Sequence, residues 1–204
     1  MTMAVKAWQL GAPGTPVYRL YDALRKRLNG KLVRYLLTRG IDGEKRRVLE
    51  AGSGPAFASS ILARDRRVEL SIAADIDIEA LDEAQRRDPQ LVLVVADLQS
   101  LPFRSESVDL CWNSSTIEHL DSPDRALAEM QRVTRRGGKV FVGVPNLHGP
   151  LGFQRWIGET SVGIWIGTTF SRSQLKAMTA RVGLQPQHTI FYFFRFFVGV
   201  LGQK

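Results

Sequence analysis

The pattern of hydrophobic residues changes near residue 45, and the part before it has helical spacing. Apolar residues recur at helical spacing from Val17 to Leu28 and again from Leu32 to Leu37, as on one face of an amphipathic helix. The intervening pair Asn29-Gly30 predicts a break between two helices. We therefore expect residues 1–45 to form an N-terminal helical extension that leans on the rest of the chain.

After residue 45, short apolar runs alternate with helical segments. Strands are predicted at Val48–Ala51, Leu70–Asp75, Leu91–Val95, Val108–Asn113 and Lys139–Val144, and near Gln187–Phe193 and Phe196–Gly202. Helices are predicted at about Pro55–Arg64, Ile78–Arg87 and Pro123–Arg135, and from a cap at Ser171 to about Val182. This alternation predicts an α/β fold with a doubly wound, mostly parallel sheet and helices on both faces. The third strand is apolar throughout and predicts burial on both faces, and the last two strands are too close to be parallel.

Composition is that of a globular protein, with 204 residues, 44% hydrophobic and 24% charged. The lone cysteine, Cys111, excludes an intrachain disulfide and fits a reducing compartment, so we expect a cytoplasmic protein. The start of the chain shows no secretory signal. The most apolar stretch, Ile190–Leu201, is shorter than the roughly 20 residues of a membrane span.

The net charge is +8, and basic residues concentrate before the first predicted strand. Such a surface can meet nucleic acid, anionic lipid or an acidic substrate, or can simply be a solvated helix face. No zinc-ligand spacing, RNA-binding aromatic signature or basic tail supports nucleic acid. Peripheral membrane contact by the basic helices stays open as an expectation.

The first strand ends in a glycine-rich turn. Gly52 and Gly54 permit close approach of a ligand to the backbone, and the next helix starts with free N–H groups. A dinucleotide-binding turn has a further glycine three residues on, where this chain has Phe57. Glu50 precedes the turn, and its carboxylate suits a cationic ligand better than a pyrophosphate.

Two aspartates follow the next strands. Asp75 ends the second strand, where a carboxylate can accept hydrogen bonds from ribose hydroxyls; the alternative role of helix N-cap suits Asp77 better. Asp97 follows the third strand and can accept from an adenine amine. Leu98 can offer a backbone N–H and an apolar wall to the same ring.

Five sequence blocks follow one another in order along the chain: residues 49–54 (LEAGSG), 74–77 (ADID), 96–103 (ADLQSLPF), 107–120 (SVDLCWNSSTIEHL) and 132–139 (RVTRRGGK). Together they resemble the type 11 domain of class I S-adenosylmethionine-dependent methyltransferases, which includes quinone-biosynthesis and natural-product enzymes. The resemblance runs from about Arg46 to Asn146 and weakly beyond. It is specific for fold and cofactor and does not indicate the methyl acceptor.

The resemblance implies a Rossmann-like domain over residues 46–204, with a seven-stranded sheet whose last strand is antiparallel. The implied contacts with S-adenosylmethionine are Glu50, Gly52, Gly54, Asp75, Asp97 and Leu98, with Asn113 and Ser114 facing the methionine portion. The family usually has a third glycine where this chain has Ala56.

Methyl transfer from a sulfonium depends mainly on positioning, and a base is needed only if the acceptor must lose a proton. His119, just after the fourth strand, is the candidate base; the alternative is a histidine that only packs or caps the following turn. Glu118 is the weaker candidate. No ligand spacing predicts a metal site.

Residues 147–170 form a long segment rich in glycine and large apolar residues, which predicts an acceptor lid loop. We expect a small-molecule acceptor, including a hydrophobic one such as a prenylated ring or lipid. Two other functions stay open: a catalytically inactive methyltransferase-like binding or regulatory module, and an RNA methyltransferase. The sequence specifies no oligomeric state.

Overall fold

The computed structural model describes residues 27–150, 152 and 167–204. Most of the predicted lid loop and the first part of the predicted N-terminal extension lie outside these residues. Among the helices that are described, none combines the length and hydropathy needed to cross a lipid bilayer.

The described residues build one seven-stranded sheet in the order β3-β2-β1-β4-β5-β7-β6. Its strands are β1 (Arg46–Ala51), β2 (Val68–Asp75), β3 (Val92–Val95), β4 (Val108–Ser114), β5 (Thr134–Pro145), β6 (Gln185–Tyr192) and β7 (Phe197–Gln203). The helices are α1 (residues 27–40), α2 (Phe57–Leu62), α3 (Ile78–Arg87), α4 (Pro123–Val133) and α5 (Arg172–Arg181). Strand β7 runs antiparallel to both of its neighbours, and every other pairing is parallel. The predicted doubly wound sheet with an antiparallel last strand is confirmed.

The winding of the sheet reverses between β1 and β4. From β1 the chain proceeds outward to β2 and β3, then returns to the other side of β1 to form β4 and β5. At such a switch point the loops after the two central strands diverge and leave a crevice at the carboxyl edge. The glycine-rich turn after β1 and the turn after β4 border this crevice.

Both faces of the sheet are covered. On one face Leu127 of α4 and Leu175 of α5 are fully buried against sheet residues such as Val142. On the other face Leu36 of α1 packs in a cluster with Trp112 of β4. Each buried side chain of this size contributes roughly 1.5–3 kcal/mol. Helix α1 is therefore held to the sheet by the same kind of contacts as the later helices.

Helix α1 is continuous through Asn29-Gly30, so the predicted break at this pair is wrong. Residues 27–35 are α-helical and Leu36–Gly40 continue as a π-helical turn. A helical glycine costs only about 0.5–1 kcal/mol relative to alanine. Burial of Leu32 and Leu36 on the sheet outweighs this cost.

Strand β3 lies at the edge of the sheet, so its predicted burial on both faces is also wrong. Val92 is 42% and Val95 55% exposed. A short apolar run has no periodicity that distinguishes a central strand from an edge strand. The position of β3 follows from the sheet order and not from its own composition.

The side chain of Tyr192 crosses the sheet along a row of register partners that contains two glycines. Ser114, Gly143 and Gly199 are register partners in a row across β4, β5 and β7. Tyr192 of β6 lays its ring along this row, and its hydroxyl oxygen lies 2.8 Å from Ser114 Oγ. A Cβ at Gly143 would overlap the tyrosine hydroxyl. Gly143 therefore allows β6 to deliver a hydroxyl to the carboxyl end of β4, while Gly199 makes room mainly for the ring of Phe141.

We expect Gly143→Ala to lower the free energy of unfolding by about 1–3 kcal/mol, the usual cost of overpacking a filled interior. Chemical denaturation followed by circular dichroism measures this. Gly30→Ala is the matched control, since a Cβ there meets nothing within 4 Å and should stabilise the helix by about 0.5–1 kcal/mol. A Gly143→Ala protein as stable as the wild type would contradict the observed path of Tyr192.

Candidate functional site

The turn after β1 is a glycine turn tied to β2. Gly52 and Gly54 have φ values of +79° and +49°, which are unfavourable for residues with a Cβ. The Gly52 N–H donates to the carbonyl of Ala74 at 2.7 Å. A Cβ on Gly52 would collide with Thr116, whereas a Cβ on Gly54 would meet nothing within 4 Å. Open space therefore lies directly above Gly54.

Glu50 anchors the helix that follows this turn. One carboxylate oxygen accepts the Ser59 backbone N–H at 3.1 Å and the Ser59 hydroxyl at 2.5 Å. Helix α2 begins after Ala56, which has no capping side chain, so Glu50 satisfies one of its first free N–H groups. Glu50 is 7% exposed and lies beneath the turn.

Asp75 lies at the tip of β2 and holds the glycine turn. Its carboxylate accepts the Gly54 N–H at 2.6 Å and the Asp77 N–H at 2.9 Å. The N-cap role belongs to Asp77, whose side chain accepts from Glu79 and Ala80 at the start of α3. The prediction that Asp77 and not Asp75 caps this helix is confirmed.

Asp97 and Leu98 follow β3 at the same edge. The Ala96 N–H donates to the carbonyl of Asp75 at 2.9 Å, which keeps the tips of β2 and β3 adjacent. Asp97 is exposed and accepts the Gln99 N–H at 2.8 Å, while Leu98 is buried. The structure thus brings Glu50, Asp75 and Asp97 to the tips of three neighbouring strands.

The tip of β2 also carries an exposed apolar side chain that the sequence did not predict as part of the site. Ile76 directly follows Asp75 and is 69% exposed. An isoleucine left in water at a strand tip offers an apolar surface to a ligand. The only sequence signal was its position between two aspartates.

Asn113 and Ser114 end β4 in different environments. Asn113 is fully buried and its amide donates to the carbonyl of Ala51. It joins β4 to β1 from inside the protein and does not occupy the exposed position expected of a ligand contact. Ser114 is half-buried and its hydroxyl is engaged with that of Tyr192. The exposed rim of this strand tip is instead formed partly by Thr116, whose hydroxyl donates to the Gly52 carbonyl at 3.1 Å.

The short 3-10 turn Ile117–His119 carries a buried carboxyl group. The Glu118 side chain has no exposed surface, and neither oxygen has a partner at ordinary hydrogen-bond geometry among the described residues. Burial raises the pKa of Glu118 to about 8, outweighing smaller lowering effects of its own backbone N–H and the Ser115 hydroxyl.

His119 is the partly exposed neighbour of this carboxyl group. Its Nε2 lies 3.9 Å from Glu118 Oε1, and 26% of its side chain is exposed. Burial lowers the pKa of His119 below its ordinary value, so the ring is neutral at pH 7. A neutral imidazole at the rim of a crevice can accept a proton.

The residues that build this geometry lie in the part of the chain that resembles known proteins. Residues 49–142 match the family model described as a methyltransferase domain. The chain is 32% identical over 100 residues to the malonyl-[acyl-carrier protein] O-methyltransferase of Hamiltonella defensa, covering 49% of the chain and 38% of the relative. It is 34% identical over 96 residues to the demethylmenaquinone methyltransferase of Renibacterium salmoninarum, covering 47% and 40%. The chain therefore spans about two fifths of the length of these relatives.

The structure of a geranyl diphosphate methyltransferase in complex with S-adenosylmethionine superimposes with a TM-score of 0.71. The alignment covers 95% of this chain and 92% of that one, at 18% identity. This likeness shows that the two share a fold, and the family model adds the matched sequence. Residues 49–142 therefore resemble a methyltransferase domain, and the chain shares the fold of this S-adenosylmethionine-bound structure.

The site at these strand tips has groups that S-adenosylmethionine would require. The open space above Gly54 lies beside the Asp75 carboxylate, whose remaining acceptor positions suit two ribose hydroxyls. Ile76 and the exposed Asp97 supply an apolar surface and an acceptor for the adenine at the next strand tip. These residues fit S-adenosylmethionine, and Asp75, Asp97 and Gly54 are the ones expected to hold it.

Ala56 lies where the family that this chain resembles usually has a third glycine, and it is in a left-handed conformation with φ +52° and ψ 37°. That conformation costs a residue with a Cβ roughly 1–2 kcal/mol. The residue is fully buried in a cluster with Ala73, Ala84 and Leu91. Burial of the methyl group offsets the strain.

No group of three or more potential metal ligands occurs among the residues that the structure describes. The three histidines of the chain, His119, His148 and His188, are far apart in sequence.

Glu118 should make the folded state less stable as pH rises. Its pKa is about 8 in the folded protein against an ordinary 4.5, so between these values the unfolded chain releases a proton that the folded protein retains. Stability should fall by up to about 1.4 kcal/mol per pH unit across this window. Glu118→Gln should match the wild type near pH 4.5 and gain on it progressively up to about pH 8 in urea denaturation. Parallel stability curves for the two proteins would show that Glu118 titrates normally.

Proposed function

We propose that this chain transfers a methyl group from S-adenosylmethionine to a small-molecule acceptor. The observation that carries the proposal is the Asp75 carboxylate, which fixes the glycine turn through Gly54 and borders the open space above it. The names of the O-methyltransferase and demethylmenaquinone relatives support a small-molecule acceptor.

When bound, the cofactor supplies a methyl group already activated on a positively charged sulfur. The protein then has three tasks: to orient the acceptor, to exclude water and to receive a proton if the acceptor releases one. Orientation alone can lower the barrier by roughly 7–11 kcal/mol. His119 is the proposed acceptor of the proton, because its neutral ring lies at the rim of the turn after β4.

We further propose that the acceptor is hydrophobic. Of the aromatic residues near the β6–β7 turn, Tyr192, Phe193 and Phe197 pack against one another with centroid distances of 4.8–5.5 Å. Phe191 and Phe194 are left 40% and 75% exposed. The turn lies against the start of the segment after β5, since the Asn146 amide donates to the carbonyl of Arg195 at 3.1 Å. Phe194 thus offers apolar surface beside the first residues of the predicted lid loop, whereas the Phe191 ring has the Arg195 guanidinium 4.8 Å from its centroid.

Asp75→Ala should weaken S-adenosylmethionine binding by about 1–3 kcal/mol, the cost of losing hydrogen bonds to a charged acceptor. Isothermal titration calorimetry of the purified chain measures this directly. Asp77→Ala is the matched control: it removes the cap of α3 and should cost about 1 kcal/mol of stability with unchanged cofactor affinity.

Equal affinity of the Asp75→Ala and wild-type proteins would place the ribose elsewhere. No measurable binding to the wild type would overturn the proposed function and favour a binding or regulatory module.

His119→Ala should lower turnover by about 10²–10⁴-fold at unchanged cofactor affinity, the usual contribution of a general base. Release of S-adenosylhomocysteine is measured with a panel of phenols, carboxylic acids and amines, each in a short and a long-chain form. Preference for the long-chain members supports the apolar acceptor. Full turnover by the variant would remove His119 from the mechanism.

A further inference from the structure

The Glu118 carboxyl group is the most anomalous polar group in the described part of the molecule. A buried carboxyl group ordinarily has hydrogen-bond donors or a cation beside it, because its desolvation is costly. Glu118 is 3% exposed as a residue, and among the described residues neither of its buried oxygens has a donor at ordinary hydrogen-bond geometry or a basic group closer than His119 Nε2 at 3.9 Å.

The polypeptide around Glu118 is well fixed. Its carbonyl oxygen accepts the Thr168 N–H at 3.0 Å. A Cβ on Gly167 would lie 3.0 Å from Glu118 Cγ and 2.6 Å from His119 Nδ1. The strand tip and the residues that return from the predicted lid loop therefore enclose Glu118 and His119 together. The Glu118 side chain is thus held in the interior by its neighbours and is not a surface residue covered by chance.

Few ionisable groups face this carboxyl group. His119 on the same turn is the nearest basic group, at 3.9 Å. Tyr192 of β6 is close enough that the charge of Glu118, added to burial, raises the pKa of its hydroxyl. Helix α4 and strand β5 also pack against this turn, and among the described residues neither brings a Lys or Arg into ion-pair distance of it.

We propose that Glu118 and His119 work as one proton-holding pair on the acceptor side of the methyl site, with Glu118 as a positioning residue beside the Nε2 of His119 that receives the proton. This inference rests on the proposed methyl transfer and names the group that makes His119 an effective base. An ionised carboxylate 3.9 Å from Nε2 stabilises by its charge the imidazolium that forms.

In the proposed step one bond to the methyl carbon forms, one breaks, and one proton moves to the protein. A lone pair on the acceptor oxygen or nitrogen forms the new bond to the methyl carbon, and the carbon–sulfur bond breaks with its electron pair left on sulfur. The proton of the acceptor O–H or N–H goes to His119, whose positive charge is then matched by the negative charge of Glu118. After product release the pair returns the proton to water. The acceptor class is therefore one with an exchangeable hydrogen on the methylated atom.

This arrangement also sets the working pH. The competent form has an ionised Glu118 and a neutral His119. Since the pKa of Glu118 is about 8 and that of His119 is below its ordinary value, this form becomes abundant only as pH approaches 8. Below that pH the pair holds one proton already and cannot take another without building up a net positive charge.

The test needs no acceptor and uses the full chain labelled with ¹⁵N-histidine. The imidazole signals of His119 are followed from pH 5 to 10, and variants of His148 and His188 assign the remaining two histidines. In the wild type, His119 should show its own titration and a second inflection near pH 8 as Glu118 ionises. Glu118→Gln, which keeps the volume, should abolish the second inflection, and Glu118→Asp should retain one. Absence of the second inflection in the wild type, or its persistence in Glu118→Gln, overturns the pair.

A second arm separates a catalytic pair from a merely structural one. Glu118→Gln should bind S-adenosylmethionine as the wild type does in calorimetry, yet turn over an accepted phenol, carboxylic acid or amine about tenfold more slowly or worse. Its rate should also lose the rise toward pH 8 that the wild type shows. Unchanged turnover and pH profile overturn the inference while cofactor binding leaves the proposed function standing. Lack of cofactor binding by the wild type would instead defeat the proposed function itself.

Discussion

The hydrogen bond from the Gly54 N–H to the Asp75 carboxylate, 2.6 Å long, is the interaction on which the site depends. It joins the turn after the first strand to the tip of the second. The Gly52 N–H and the Thr116 hydroxyl hold the first part of the turn, whereas Gly54 restricts its own backbone little and depends on Asp75. With this bond, Gly54 keeps its positive φ and leaves open space beside a carboxylate. Asp75 thus shapes the ligand site and is also available to bind the ligand.

The two halves of the crevice are built from different chemistry. Toward β2 and β3 the edge has carboxylates that are exposed or engaged with backbone N–H groups, next to the exposed Ile76. Toward β4, β5 and β6 the groups are enclosed: Ser114 and Tyr192 share a hydrogen bond, and Glu118 is buried without one. An open polar edge suits a cofactor that enters from water. An enclosed edge that carries the Glu118 carboxyl group, with its raised pKa, suits the acceptor atom that releases a proton.

Sequence reasoning brought the three carboxylates to one edge of the sheet correctly because their signals are local. Glu50, Asp75 and Asp97 each follow a strand that could be recognised from its own residues, and parallel strands bring their carboxyl ends to one edge. The acceptor half depends on register. Nothing near Gly143 in sequence reveals that the absence of a side chain there leaves room for Tyr192. Burial of Glu118 likewise depends on Gly167 and Thr168, which are some fifty residues away. The break at Asn29-Gly30 and the burial of β3 were predicted wrongly for a related reason: helix packing and sheet order outweighed local propensity.

A crystal structure of this chain with S-adenosylhomocysteine would test the central claim most directly. The account predicts ribose hydroxyls within about 3 Å of the Asp75 oxygens, the adenine against Ile76 near Asp97, and the sulfur facing the turn that carries His119. A ligand bound elsewhere on the sheet, or a ribose with no contact to Asp75, would contradict it.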